Sequence, residues 1–192
     1  MQFAIRAAQL IDGAGQAPVK GATVLVEGER IVAAGPSQGV PLPEGCPVYE
    51  APGATILPGL IDCHVHLVAS GDPKVDWVRT YLQDSTGLLA LKGYAYAQRD
   101  LQAGFTAVRD CGARSYVNVA VRDAIESGLV EGPRVVACGL PITCTGGHMT
   151  HTVAHGNVIS DQALIVNSTD EARAAVRQDF AMGADFIKIS SD

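Results

Sequence analysis

The sequence predicts an α/β chain, the first half of a (β/α)8 (TIM) barrel over residues 58–192 preceded by a small β module over residues 1–57. Two observations predict it. Short strand-like runs punctuated by turn residues fill the first fifty-odd positions, and from Ala54 onward apolar runs of strand length alternate with longer helix-like segments. The later runs are apolar on both faces and separated by helices, which is the pattern of a covered parallel sheet, and the barrel is the leading closed version of that arrangement.

The elements follow in order. Phe3 to Ile11 reads as a strand ending at Asp12-Gly13, and Ala22 to Val26 with Arg30 to Ala34 as the arms of a hairpin turning at Glu27-Gly28-Glu29. Gly35 to Gly53, dense in proline and glycine, reads as a loop or linker crossing to a new unit. The run ATILPGLIDCHVHL supplies the next strand, followed by a helical region over Asp76 to Ala103 with breaks expected near Gly87 and Gly93. FTAVRD is a second strand, Ser115 to Ser127 a helix, and RVVACGL a third strand. A histidine-bearing loop, a helix over Thr169 to Met182 and the strand ADFIKIS complete four β/α repeats. A whole barrel takes about 250 residues. This chain has 192, so the expectation is a half barrel whose open edge is completed by further chain or by another molecule.

Composition narrows the function classes. The chain is 47% apolar and 18% charged with a net charge of −6, which fits a globular fold and speaks against a nucleic-acid binder, and no run of lysine or arginine is present. Cys46, Cys63, Cys111, Cys138 and Cys144 are odd in number and contain no C-x-x-C pair, so they read as reduced small apolar residues rather than a disulfide framework or a thiolate zinc site. With neither a signal-peptide pattern nor a membrane-length apolar stretch, a cytoplasmic protein with no membrane partner is the expectation.

Three clusters carry chemistry. In Asp62-Cys63-His64-Val65-His66, alternation along a strand puts His64 and His66 on one face and Cys63 and Val65 on the other, so the two imidazoles can chelate one zinc, manganese, iron or nickel ion at the C-terminal rim of a barrel. A pair of hydrogen-bonded core histidines is the alternative. Asp62 can orient a ligand or be an ordinary strand-end carboxylate. Lys188 sits in an otherwise apolar strand, where burial disfavours its ammonium form and leaves an amine able to take up carbon dioxide. The resulting carbamate can bridge two divalent ions, whereas an ion-paired or rim-reaching lysine would be purely structural. In Thr143-Cys144-Thr145-Gly146-Gly147-His148-Met149-Thr150-His151, the glycines allow the main chain to approach a ligand closely. His151 and His155 are spaced to pair on a helical turn or to face solvent as loop residues. Arg109, at the end of the second strand, can hold a substrate carboxylate as a planar fork or close a salt bridge to Asp110 or Asp62. Trp77, Tyr81, Tyr94 and Tyr96 read as packing residues, with a substrate lid as the other option.

The stretch LPGLIDCHVHL resembles the first-strand signature of the amidohydrolase superfamily, and a loop similar to ITCTGGHMTH follows the third strand in the imidazolonepropionase-like subgroup, which includes dipeptide-cleaving, prolidase-like members. The resemblance covers essentially the whole chain and implies that the β module contributes strands of a small β-sandwich. It also implies metal ligation by His64, His66 and a carboxylated Lys188, with one or two divalent ions, zinc foremost. His148 would polarise the scissile carbonyl or hold a substrate carboxylate, with Asp62 and Arg109 as supporting or substrate-contacting residues. Met149 departs from the glycine that the subgroup carries after that histidine. The implied reaction is hydrolysis of an amide or peptide-like C–N bond, in a dipeptide (Xaa-Pro included) or an N-acyl amino acid, by a metal-activated hydroxide. Hydrolysis or deamination of a cyclic amide or imidazolone ring, and a metal-free non-catalytic relative, are the alternatives. A small-molecule or dipeptide substrate and a homo-oligomer are expected. Ligands from the fifth and sixth strands and an aspartate base from the eighth lie outside these residues, so the 192 residues alone are expected to be inactive.

Overall fold

The structure, a computed structural model, describes residues 1–76, 83–148, 150, 152–154, 157–158 and 161–190. Trp77, Tyr81, Met149, His151 and His155 lie outside the described residues. The chain divides into two compact units, Met1–Pro58 and Gly59–Asp192.

The first unit is a four-stranded sheet in the order β3-β2-β1-β4, built from β1 (Gln2–Leu10), β2 (Val19–Glu27), β3 (Arg30–Pro36) and β4 (Val48–Ile56). The hairpin turns at Gly28-Glu29, between the paired residues Glu27 and Arg30. Ala4, Leu25 and Val40 form one buried cluster and Leu10, Ala22 and Val24 another. The expected loop from Gly35 to Gly53 is corrected in its last third, because β4 begins at Val48 and runs parallel to β1. Its prolines misled for a physical reason. β4 is an edge strand, and Pro52 falls where its register with β1 shifts between the pairs Ala7–Ala51 and Gln9–Thr55, so the missing N–H breaks no regular ladder.

The second unit centres on a parallel sheet in the order β5-β6-β7, made of β5 (Leu60–Val65), β6 (Phe105–Asp110) and β7 (Arg134–Ala137). Helices α1 (Thr86–Gln102) and α2 (Val117–Glu126) cover it. Leu67, Leu89, Val108, Val117, Val121 and Val135 fill the space between sheet and helices, with Val65 and Phe105 packed against them. Each such fully buried side chain contributes about 1.5–3 kcal/mol. Helix α1 starts on Ser85, whose hydroxyl accepts from the Leu88 N–H, and runs unbroken through Gly87 and Gly93. The expected breaks are absent because Gly93 serves a contact: a Cβ there would lie 3.3 Å from Val121 Cγ2. The missing side chain lets α1 approach α2 closely.

Beyond β7 the ladder becomes irregular. β8 (Ile142–Thr143) pairs in parallel with β11 (Leu164–Ile165), while β9 (Thr152–Ala154) and β10 (Asn157–Val158) form a small antiparallel pair. Helix α3 (Thr169–Ala181) is capped by Ser168, which accepts from the Glu171 N–H. The expected strand ADFIKIS is present as a single parallel bridge between Ile142 and Ile189. The Ile142 N–H donates to the Lys188 carbonyl at 2.8 Å and the Ser190 N–H to the Ile142 carbonyl at 2.9 Å. Regular pairing is interrupted because the Asp185 carboxylate takes the Ala137 N–H at 2.8 Å, and the neighbouring chain bends at Gly139 with φ of +73°. Among the described residues, no helix is long and apolar enough to cross a membrane.

Candidate metal and substrate site

The site is built at the C-terminal ends of β5 and β6 and on the segment that carries Lys188. Alternation holds only in part on β5: Val65 packs into the core and His64 and His66 are exposed, but Cys63, expected on the side of Val65, is exposed as well, where the register with β6 shifts between Asp62 and Val65. Their ring centroids lie 5.5 Å apart with the planes tilted by 59°. The His66 Nδ1 lies 2.8 Å from the carbonyl oxygen of Gly112. A carbonyl only accepts, so Nδ1 is the donor here and Nε2 is the ring nitrogen left for another partner. Asp62 turns back on its own strand and accepts the His64 N–H at 2.9 Å.

The charges around His64 show which groups the fold gathers. Its imidazole is held below the ordinary histidine range, first by partial desolvation and then by its electrostatic interactions with Lys188, His66 and Arg109, with Asp62 acting in the opposite sense. Lys188 also acts on the buried thiol of Cys111, which lies beside β5 with Sγ 3.9 Å from the Cys63 carbonyl oxygen. Desolvation nonetheless raises that thiol above its usual range, which makes it a packing residue rather than a nucleophile.

Arg109 does not pair with Asp110 or Asp62. Its Nε donates to the Cys63 carbonyl at 2.7 Å, and its guanidinium lies over the Phe186 ring with Cζ 5.3 Å from the centroid. Its neighbour Asp110 points the other way and is fully buried. One carboxylate oxygen accepts the Gly112 N–H at 2.8 Å and the Asn118 amide at 2.9 Å, and the other accepts the Leu67 N–H at 2.7 Å. Burial raises this carboxyl above its usual range, and the three donors oppose the shift. Sequence reasoning treated Asp110 only as a possible salt-bridge partner, and passed over Gly112, Asn118 and Phe186. The Asp-x-Gly spacing of Asp110-Cys111-Gly112 was the available signal, since an aspartate that bonds the N–H two residues on forms a tight Asx turn.

His148 is exposed on the loop after β8 and is not among the groups whose charge acts on His64. That loop is tied to the start of α3: the Thr145 N–H donates to Asn167 Oδ1 at 3.1 Å, and the Asn167 N–H to Glu171 Oε2 at 2.6 Å. The structure thus brings together His64, His66, Lys188, Arg109 and Asp62. Tyr96 lies under the Arg99 guanidinium on α1, and Tyr94 lines an apolar groove between α1 and α2.

The residues present suit a divalent ion in part. Two neighbouring imidazoles and a nearby amine are donors such an ion can take. Among the described residues, no group of three or more His, Cys, Asp or Glu side chains is placed to hold a metal ion.

Comparison with known proteins places these features in a lineage. The model of the amidohydrolase family matches residues 55–192. Ochratoxinase from Aspergillus niger is 27% identical over 205 aligned residues, covering 96% of this chain and 41% of that protein. Imidazolonepropionase from Acidiphilium cryptum is 35% identical over 82 residues, 43% of this chain and 20% of the relative. The crystal structure of a Xaa-Pro dipeptidase with methionine bound in its active site superposes with a TM-score of 0.78 at 30% identity, covering 98% of this chain and 47% of that one. The chain therefore spans less than half the length of each of these proteins, and its fold is the corresponding part of their α/β barrel architecture.

Proposed function

The chain belongs to the amidohydrolase family, and from that premise we propose that the protein it forms is a metal-dependent hydrolase of amide or peptide-like C–N bonds in a dipeptide or N-acyl amino acid. The observation that carries this reading is the gathering of His64, His66, Lys188 and Arg109 around the ends of β5 and β6, with the Nδ1 proton of His66 already committed to Gly112. His64 and His66 would hold a divalent ion, with zinc the natural choice for imidazole donors. Lys188 would complete the set, either as the free amine or as a carbamate formed when the amine adds to carbon dioxide with loss of a proton. A bound ion of this kind supplies Lewis acidity, lowering the pKa of water and polarising a carbonyl.

The chain's own residues do the rest. Arg109, anchored through Nε and stacked on Phe186, presents its remaining N–H groups to a substrate carboxylate. That contact fixes the C-terminal end of a dipeptide or N-acyl amino acid and sets its scissile bond against the two histidines. The Xaa-Pro dipeptidase likeness favours a substrate with a free carboxylate. His148, exposed on a glycine-bearing loop, would contact the substrate.

The test is elemental analysis of the purified protein combined with assays on dipeptides and N-acyl amino acids. Stoichiometric divalent metal that disappears in His64→Ala and His66→Ala, together with hydrolysis lost on chelation and restored by zinc, is the expected result. Full hydrolysis by metal-free protein, or metal content unchanged in both variants, would refute it.

A further inference from the structure

One buried carboxylate binds the chain on both sides of the His66 ring contact. Asp110 takes the N–H of Leu67, the residue following His66, on one oxygen and the N–H of Gly112 on the other. Gly112 is the residue whose carbonyl receives the His66 Nδ1 proton. The backbone carrying the ring and the backbone carrying its acceptor are thus fixed to the same rigid group. Asn118 steadies that group from α2, donating to Asp110 Oδ1 at 2.9 Å and to the Gly139 carbonyl at 3.2 Å. A further backbone bond, from the Cys111 N–H to the Val65 carbonyl at 2.9 Å, closes the same stretch. Gly112 has φ of +141°, and a Cβ there would lie 2.9 Å from Pro141 Cγ and 3.8 Å from His66 Cε1. A side chain at this position would therefore collide with Pro141 and strain the backbone that presents the carbonyl to His66.

We propose that Asp110 is the positioning residue for His66: by clamping Leu67 and Gly112 together it holds the Nδ1 proton on the Gly112 carbonyl and so commits an unprotonated Nε2 to the site. Asp110 touches no substrate and acts only through the backbone. This rests on the reading of His66 as a metal ligand, but the tautomer itself is a property of the chain without metal. Groups that orient a ligating histidine from behind commonly change metal affinity when removed, which is the behaviour expected here.

The experiment separates the two ideas. Nitrogen-15 NMR of histidine-labelled, metal-free protein reads the His66 tautomer directly, and cobalt titration followed by visible absorption reads the metal site. In the unsubstituted protein His66 is expected to be the Nδ1–H tautomer. In Asp110→Asn, where one oxygen becomes an NH2 facing an N–H donor, one clamp is lost whichever way the amide sits. The His66 signals should then move toward a mixture of tautomers, and cobalt affinity should fall roughly 10–100-fold, with the amide spectrum of the rest of the chain unchanged. If Asp110→Asn does not fold, Asn118→Ala removes one of the three donors and should shift the tautomer in the same direction by less. An Nε2–H tautomer in the unsubstituted protein, or a tautomer unmoved in the folded variants, overturns the proposal. Absence of stoichiometric cobalt binding alongside the expected tautomer would instead refute the metal reading and leave Asp110's role standing.

Discussion

Arg109 is held by one edge and by the face of its planar group, with Nε donating to the Cys63 carbonyl at 2.7 Å and Cζ 5.3 Å from the centre of the Phe186 ring. Lysine keeps the charge but cannot make both contacts, since its ammonium is a point donor without a face to stack. In Arg109→Lys, KM for a substrate with a free C-terminal carboxylate should rise about 10- to 100-fold, the range expected when a charged hydrogen bond of ~1.5–3 kcal/mol is lost, with kcat changed much less. The same substrate with its carboxylate amidated should show almost no difference between the two proteins. Equal losses on both substrates would mean that Arg109 does not meet the carboxylate.

If Lys188 is the third donor beside the two histidines, as proposed, its removal should be felt in metal content as well as rate. Lys188→Ala is expected to bind less metal and to lose at least about 100-fold in kcat/KM, equivalent to ~2.7 kcal/mol of transition-state stabilisation. Reconstituting metal-free protein in buffer stripped of carbon dioxide and then adding bicarbonate checks the carbamate. Activity that recovers only with bicarbonate supports it, and identical activity in both buffers argues for the free amine.

Asp179 on α3 is fully buried, with Oδ1 accepting from the Tyr116 hydroxyl at 3.1 Å and Oδ2 without a partner. Desolvation lifts its carboxyl above the usual range, and the bonds from Tyr116 and the Leu140 N–H do not cancel that effect. The folded chain therefore keeps this proton at pH values where the unfolded chain has already released it. Its contribution is fully present below the ordinary carboxylate value and is lost as pH rises through the folded value. Asp179→Asn should flatten that part of a stability-versus-pH curve measured by urea unfolding. A variant curve parallel to the parent's across the whole window would contradict the assignment.

The contact at Gly93 sets how closely α1 can lie on α2. Gly93→Val would push a branched side chain into Val121, 3.3 Å from the first added carbon, and overpacking of this kind typically costs about 1–3 kcal/mol. Thermal unfolding should register the loss clearly. Gly87→Ala, in the first turn of the same helix with nothing within 4 Å of its added carbon, should be neutral or slightly stabilising.

Legibility in the sequence followed the physics of each segment. Phe105–Asp110 matched its expected bounds because an apolar, β-branched run lies between Gly104 and Gly112. The burial of Val65 followed from strand parity, whereas Cys63, expected on the same face, is exposed because the β5 register with β6 shifts there. β4 was missed because edge strands tolerate prolines that a central strand would reject. The unbroken α1 was missed because Gly93 answers a tertiary contact that no local pattern encodes. Asp110 is the instructive case: its place at a strand end was visible, but its burial depends on donors from Leu67, Gly112 and Asn118. Only folding brings those groups to one carboxylate.

Arg109 and Asp110 are adjacent in β6 yet serve opposite sides of the sheet, the arginine in the open and the aspartate sealed beneath the helices. A frame error of a single residue in this strand would trade their places, forcing a guanidinium inward and stranding a carboxylate outside. Insertions and deletions between Gly104 and Gly112 should therefore be tolerated far less well than any exchange of side chains there, because the spacing of six consecutive residues sets both the exposed arginine and the buried aspartate.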